Sequence, residues 1–123
     1  MLEVMYVWER VFSLWALYLG KRKMANITLN CLIVPKGDLM NISFIKVMQA
    51  ITINSSNHVS NLETAIQDRL GAPFSNTPLR LCKIHPGSVV EIEMHQQSLI
   101  SAFFPEEPLA DRFNVLVYSL SQL

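Results

Sequence analysis

Residues Val59–Leu81 read VSNLETAIQDRLGAPFSNTPLRL, and this stretch decides the fold. Ser60 has the chemistry of a helix N-cap, and Glu63, three residues on, completes a capping box that would satisfy two otherwise orphaned N–H groups. Leu62, Ala65, Ile66 and Leu70 recur at helical spacing as one apolar stripe, with Glu63, Gln67 and Asp68 expected to face water. Gly71 allows the left-handed turn that ends a helix, and Pro73 prevents continuation. Beyond Pro78, Leu79-Arg80-Leu81-Cys82-Lys83-Ile84 reads as a short strand, with Leu79 and Leu81 inward and Arg80 outward.

Upstream, Ile27, Leu29, Cys31 and Ile33 alternate with Thr28, Asn30, Leu32 and Val34, a strand with one wholly apolar face. Pro35-Lys36-Gly37-Asp38 breaks it. A second strand-like run places Ile45, Val47, Ile51 and Ile53 on one parity, after an irregular loop over part of Leu39–Phe44. Asn54-Ser55-Ser56-Asn57 supplies the next loop. Downstream, His85-Pro86-Gly87 marks a turn, Val89–Met94 a candidate strand, Ser98–Phe104 a short helix or turn, and Phe113–Tyr118 a closing strand. The order β-β-α-β-(β)-β, in which the helix stripe and the inward strand residues must bury each other, is α+β. It predicts a β-grasp: a mixed sheet of four to five strands covered by one main helix.

The chain has 123 residues, enough for one domain, and half of them are apolar. Ten basic and ten acidic residues cancel, so no electrostatic signal favours nucleic acid or an anionic membrane. Cys31 and Cys82 both sit in apolar runs and are expected to be buried thiols rather than a bridge. Residues 1–23 are read as an apolar extension outside the fold, and 24–123 as the domain, with Met24 a candidate translation start. The apolar stretch Val11–Leu19 is too short for a bilayer, which takes about 20 residues. Glu3 and Glu9 spoil the basic start of a signal peptide. Trp8, Phe12, Trp15 and Leu19 leave an interfacial helix as the other reading.

Residues Val59–Leu81 resemble the helix-to-third-strand segment of ubiquitin in the Ile66-Gln67-Asp68-Arg69 helix end, the Gly71-x-Pro73 exit and the leucine that follows. The longer stretch Met24–Val117 is similar to the N-terminal domain of Crinkler effector proteins of fungi and oomycetes. The opening Ala25–Val34 matches that domain's start, followed by Val59, Leu62 and Ile66 in the helix and Leu79, Leu81, Lys83 and Ile84 in the next strand. Ile100, Ser101, Phe104, Glu106 and Pro108 then match the turn before the last strand, and Phe113, Val115 and Val117 the strand itself. The resemblance implies a non-enzymatic effector module with a role in secretion, translocation into host cells and protein interaction, bound to a protein partner and to no cofactor.

Five departures bear on that implication. Cys82 stands where the family usually has Trp. The stretch Leu39–Gln49 is long for the link between the first two strands, and Ser88–Ser98 is short for the polar loop that usually follows the third. The family's Leu-Phe-Leu-Ala-Lys translocation motif falls on Leu29, Asn30, Cys31, Leu32, Ile33 and Val34, which read LNCLIV. Members usually continue into a C-terminal effector domain, so the resemblance is to the delivery module alone.

Catalytic chemistry finds little footing in the sequence. His58, His85 and His95 are scattered, without a metal-ligand spacing. Cys82 and His85 make the only local thiol–imidazole candidate, and a thiol in an apolar strand is normally inert. Glu91 and Glu93 are expected on the solvent face of a strand, and Glu106-Glu107 in a turn. The ending Ser121-Gln122-Leu123 lacks the Gly-Gly of ubiquitin conjugation, and Arg80 replaces the aliphatic residue that ubiquitin shows its receptors. The alternative to an effector module is an intracellular ubiquitin-like interaction module without conjugation activity, binding a protein along a sheet face or edge.

Overall fold

The computed structural model describes residues 26–85 and 90–120. The alternation in the first strand is the frame of the molecule. Ile27, Leu29, Cys31 and Ile33 of β1 (Asn26–Ile33) are all buried, and Leu29, Cys31 and Ile33 are wholly excluded from solvent. Antiparallel β2 (Met48–Asn54) sets Ile51 and Ile53 opposite Leu29 and Ile27, on the same face. Helix α1 (Val59–Leu70) then crosses that face with Leu62, Ile66 and Leu70 buried and Ala65 packed beside them. Strands β3 (Leu79–Ile84), β4 (Glu91–Glu93) and β5 (Val115–Ser119) complete the sheet.

The strand order is β2-β1-β5-β3-β4. β5 runs parallel to β1, with Cys31 opposite Val115 and Ile33 opposite Val117, and antiparallel to β3. The expected fold is therefore present: a ubiquitin-like β-grasp, a five-stranded mixed sheet with one main helix on one face. Leu39, Met94, Ile100 and Phe104 close the ends of the core from the connecting segments.

Local departures from the sequence reading have physical causes. Ile45 is not on β2. It lies in a 3-10 turn (Phe44–Lys46), is 82% exposed, and β2 begins only at Met48. Leu39 and Ile42 in the preceding loop are buried. The helix is capped by His58 rather than Ser60, with His58 N–H donating to Asn61 Oδ1 at 3.0 Å. Val59 and Ser60 N–H donate to the carbonyls of Ser98 and Gln96, so the loop after β4 supplies the helix's orphaned donors with acceptors.

Glu63 faces inward rather than to water. Its carboxylate accepts from Leu79 N–H at 2.8 Å and from Gln96 Nε2 at 2.7 Å. At the other end Gly71 adopts φ 71° and ψ −179°, open to glycine alone at little cost, and its N–H closes on Gln67 O. Lys46 Nζ donates to Leu70 O at 2.7 Å, a cation on the helix's negative end. The candidate strand Val89–Met94 contracts to β4, whose three side chains are exposed. The proposed extension 1–23 and the turn residues Pro86-Gly87 lie outside the described residues.

Candidate functional site

One face of the sheet carries α1, and the other, the open face, is covered by no helix among the described residues. Alternation decides which side chains stand there: Thr28, Asn30 and Leu32 from β1, Met48, Ala50 and Thr52 from β2, and Leu116 and Tyr118 from β5. Arg80, Cys82 and Ile84 from β3 and Glu91 and Glu93 from β4 complete it. The register aligns Met48, Leu32, Leu116, Cys82 and Glu93 in one row across all five strands. Its middle is apolar, with Leu32 and Leu116 half-buried and Met48 61% exposed.

A polar cluster borders that row. The Arg80 guanidinium carbon lies 4.7 Å from the centre of the Tyr118 ring, a cation–π stack. Arg80 Nη1 reaches Glu93 Oε1 at 3.3 Å and Cys82 Sγ at 3.4 Å. Tyr118 OH donates to Glu91 Oε1. Arg80 thereby covers the thiol, leaving Cys82 only 1% exposed although it sits on the open face. At the opposite margin, Asn30 Nδ2 donates to the carbonyls of Ala110 and Arg112, holding the loop before β5 against the sheet. Asn114 fixes the same loop through Oδ1 to Asn30 N–H and Nδ2 to Leu109 O. A groove of about 510 Å³ runs between that loop and β2, lined by Met48, Ala50, Ala110 and Phe113 among others.

The hydrogen bond to Glu91, with burial second, raises the Tyr118 phenol from 10.0 to about 12. The folded protein thus holds this proton more tightly than an unfolded chain, where tyrosine titrates near ~10. The resulting stability is complete below pH ~10 and is lost as pH rises through 12. We expect the Tyr118 ring carbons to titrate near 12 by NMR, and Glu91→Ala to bring the midpoint back towards 10. An unchanged midpoint in the variant would show that Glu91 is not the cause.

The segment Leu29, Asn30, Cys31, Leu32, Ile33 and Val34 forms most of β1, in the interior of the sheet. Leu29, Cys31 and Ile33 are core residues, and Asn30, Leu32 and Val34 are half-buried. Both cysteines are free and buried, as expected. Burial pushes the Cys31 thiol up to about 12, and burial is also the main cause of the rise at Cys82, only partly offset by Arg80. These are unreactive thiols.

His58, His85 and His95 are exposed at three separate places, and His58 caps α1. Among the described residues no three His, Cys, Asp or Glu side chains are placed to hold a metal ion. Glu91, Glu93, Glu106 and Glu107 are exposed, as alternation and the flanking prolines predict. A second cavity of about 640 Å³ brings Glu63, Glu93 and His95 near one another, but both oxygens of Glu63 already accept hydrogen bonds.

Reading along the chain missed the Arg80–Tyr118–Glu91–Glu93 cluster. Its one signal was parity, which puts each of these side chains on the open face once the strands are known. No helix among the described residues is long and apolar enough to cross a membrane. Comparison with family models, curated proteins and solved structures gave no match to any of the three.

Proposed function

We propose that the chain is a non-enzymatic, ubiquitin-like interaction module of the kind that opens Crinkler effectors, and that it binds a protein partner on the open face of its sheet. The observation that carries the binding part is the row Met48, Leu32, Leu116 and Cys82, an apolar band bordered by charged and aromatic side chains. Interfaces combine an apolar centre with a polar rim, and Arg and Tyr are enriched among the residues that carry the binding energy. Cys82, where the resembled family usually has Trp, stands in this same row. A thiol leaves the band flatter than an indole would, and Arg80 folds over it. The delivery part, secretion and entry into a host cell, rests on the resemblance alone.

The test uses the tagged full chain in a fungal or oomycete host and follows its appearance outside the producing cell and inside a plant cell. Protein recovered only from the producer's cytosol counts against delivery and favours the intracellular module. In parallel, a partner captured from host extract should be lost with Leu116→Glu, a half-buried position where a charge breaks the apolar band with little effect on the core. Equal capture by wild type and variant, at equal melting temperature, overturns the assignment of the open face.

A further inference from the structure

The two edges of the sheet are treated differently. The β4 edge is three residues long, carries Glu91 and Glu93, and gives way to a stretch where Leu79 N–H is taken by Glu63 and Leu81 O by Met94 N–H. Short strands, charge and covered backbone groups are how sheets prevent edge-to-edge pairing.

Among the described residues the β2 edge has none of these devices. Its sequence, Met48-Gln49-Ala50-Ile51-Thr52-Ile53-Asn54, contains no charge and no proline. Ile33 N–H donates to Val47 O at 2.7 Å, so the odd-numbered residues of β2 turn their backbone groups to β1. Met48, Ala50 and Thr52 therefore aim theirs away from the sheet, and no strand among the described residues lies on that side. Four large apolar side chains are exposed just before and at the start of this edge: Met40 65%, Phe44 86%, Ile45 82% and Met48 61%.

We propose that β2 pairs antiparallel with β2 of a second copy of this chain, about a two-fold axis near Ile51, joining two sheets into one. A second copy fits for two reasons. An antiparallel strand pair is self-complementary under a two-fold axis, so an edge open on one copy is open in the matching way on the other. The formal net charge is zero and β2 is uncharged, so like copies meet without repulsion, whereas a partner selected by charge would find nothing on this strand to read. The pairing satisfies the outward backbone groups of Met48, Ala50 and Thr52, and it brings Phe44 and Ile45 of each copy to the ends of the joint.

The full chain is examined by sedimentation equilibrium across a concentration series, with amide exchange at Ala50 and Thr52 as the local readout. Dimers that form with rising concentration, together with slower exchange at both amides by tenfold or more, are the expected result. Two double variants test the register-independent core of the idea: Ala50→Lys with Thr52→Lys, and Ala50→Glu with Thr52→Glu. Both positions are exposed on the open face, so the fold should persist. Each variant alone should dimerise at least about tenfold more weakly, since like charges face each other across the joint. Mixing the two should restore association as a heterodimer.

A monomer at every concentration overturns the proposal. So does association that ignores both double variants, which would place the contact elsewhere, residues 1–23 included. Binding of a different protein's extended segment to β2 of a monomeric chain would also replace the second copy as occupant.

Discussion

Leu29→Ala should destabilise the protein by about 2–5 kcal/mol, the range for truncating a leucine in a rigid core. Leu29 is wholly buried, opposite Ile51 on β2 and within the cluster that α1 covers. A small domain has only about 5–15 kcal/mol in total, so urea unfolding should show a large fall in midpoint with little change in slope. Leu32→Ala, three residues along the same strand on the open face, should cost about 1 kcal/mol or less. The contrast matters because Leu29–Val34 is where the resembled family carries its translocation motif. Substitutions at Leu29, Cys31 or Ile33 act on stability first, so a loss of the proposed delivery in such a variant would not by itself assign the segment a transport role. Only Leu32 and its neighbours on the outer side can separate the two effects. Equal stability losses at Leu29 and Leu32 would mean that β1 does not present alternate faces.

Glu63→Ala should cost about 3 kcal/mol, although its carboxylate forms no ion pair among the described residues. The side chain is 8% exposed and accepts from Leu79 N–H and Gln96 Nε2. Hydrogen bonds to a charged group contribute about 1.5–3 kcal/mol each, and removing the acceptor strands a backbone donor at the start of β3. Glu63→Gln keeps an acceptor for Leu79 N–H, and its amide N–H can donate to Gln96 once the Gln96 amide turns its oxygen inward, so it should lose about half as much. Thermal unfolding of the three proteins orders them. If Gln and Ala were equivalent, the carboxylate would not be acting as an acceptor for the strand.

The two variants mark where the sequence is legible. Ile27, Leu29, Cys31 and Ile33, then Leu62, Ile66 and Leu70, then Val115 and Val117, lie in the core as their spacing demands. Spacing is a local property that backbone geometry converts directly into a face, so the β-grasp could be assembled from it. Glu63 failed the same reading because its fate is fixed by Leu79 and Gln96, both distant in sequence. Ile45 failed because the chain turns through Phe44–Lys46 before β2 begins at Met48, so strand parity does not extend back to it. The open face was half legible. Parity put Arg80 outside, but its stack on Tyr118 and its contact with Glu93 depend on β5 and β4 flanking β3, an order that no short window of sequence contains.

The place of β5 between β1 and β3 sets a timetable for folding. While the chain is being synthesised, the hairpin of β1 and β2 and the helix emerge first, but the strand that joins them to β3 arrives last. Until then no strand of one half is paired with a strand of the other, and the edges of β1 and β3 wait uncovered. Contacts as distant in sequence as Cys31 with Val115 make closure slow compared with helical domains of this size. The nascent protein therefore passes through an interval with the edges of β1 and β3 bare, and it is during this interval that a chaperone would have its opportunity.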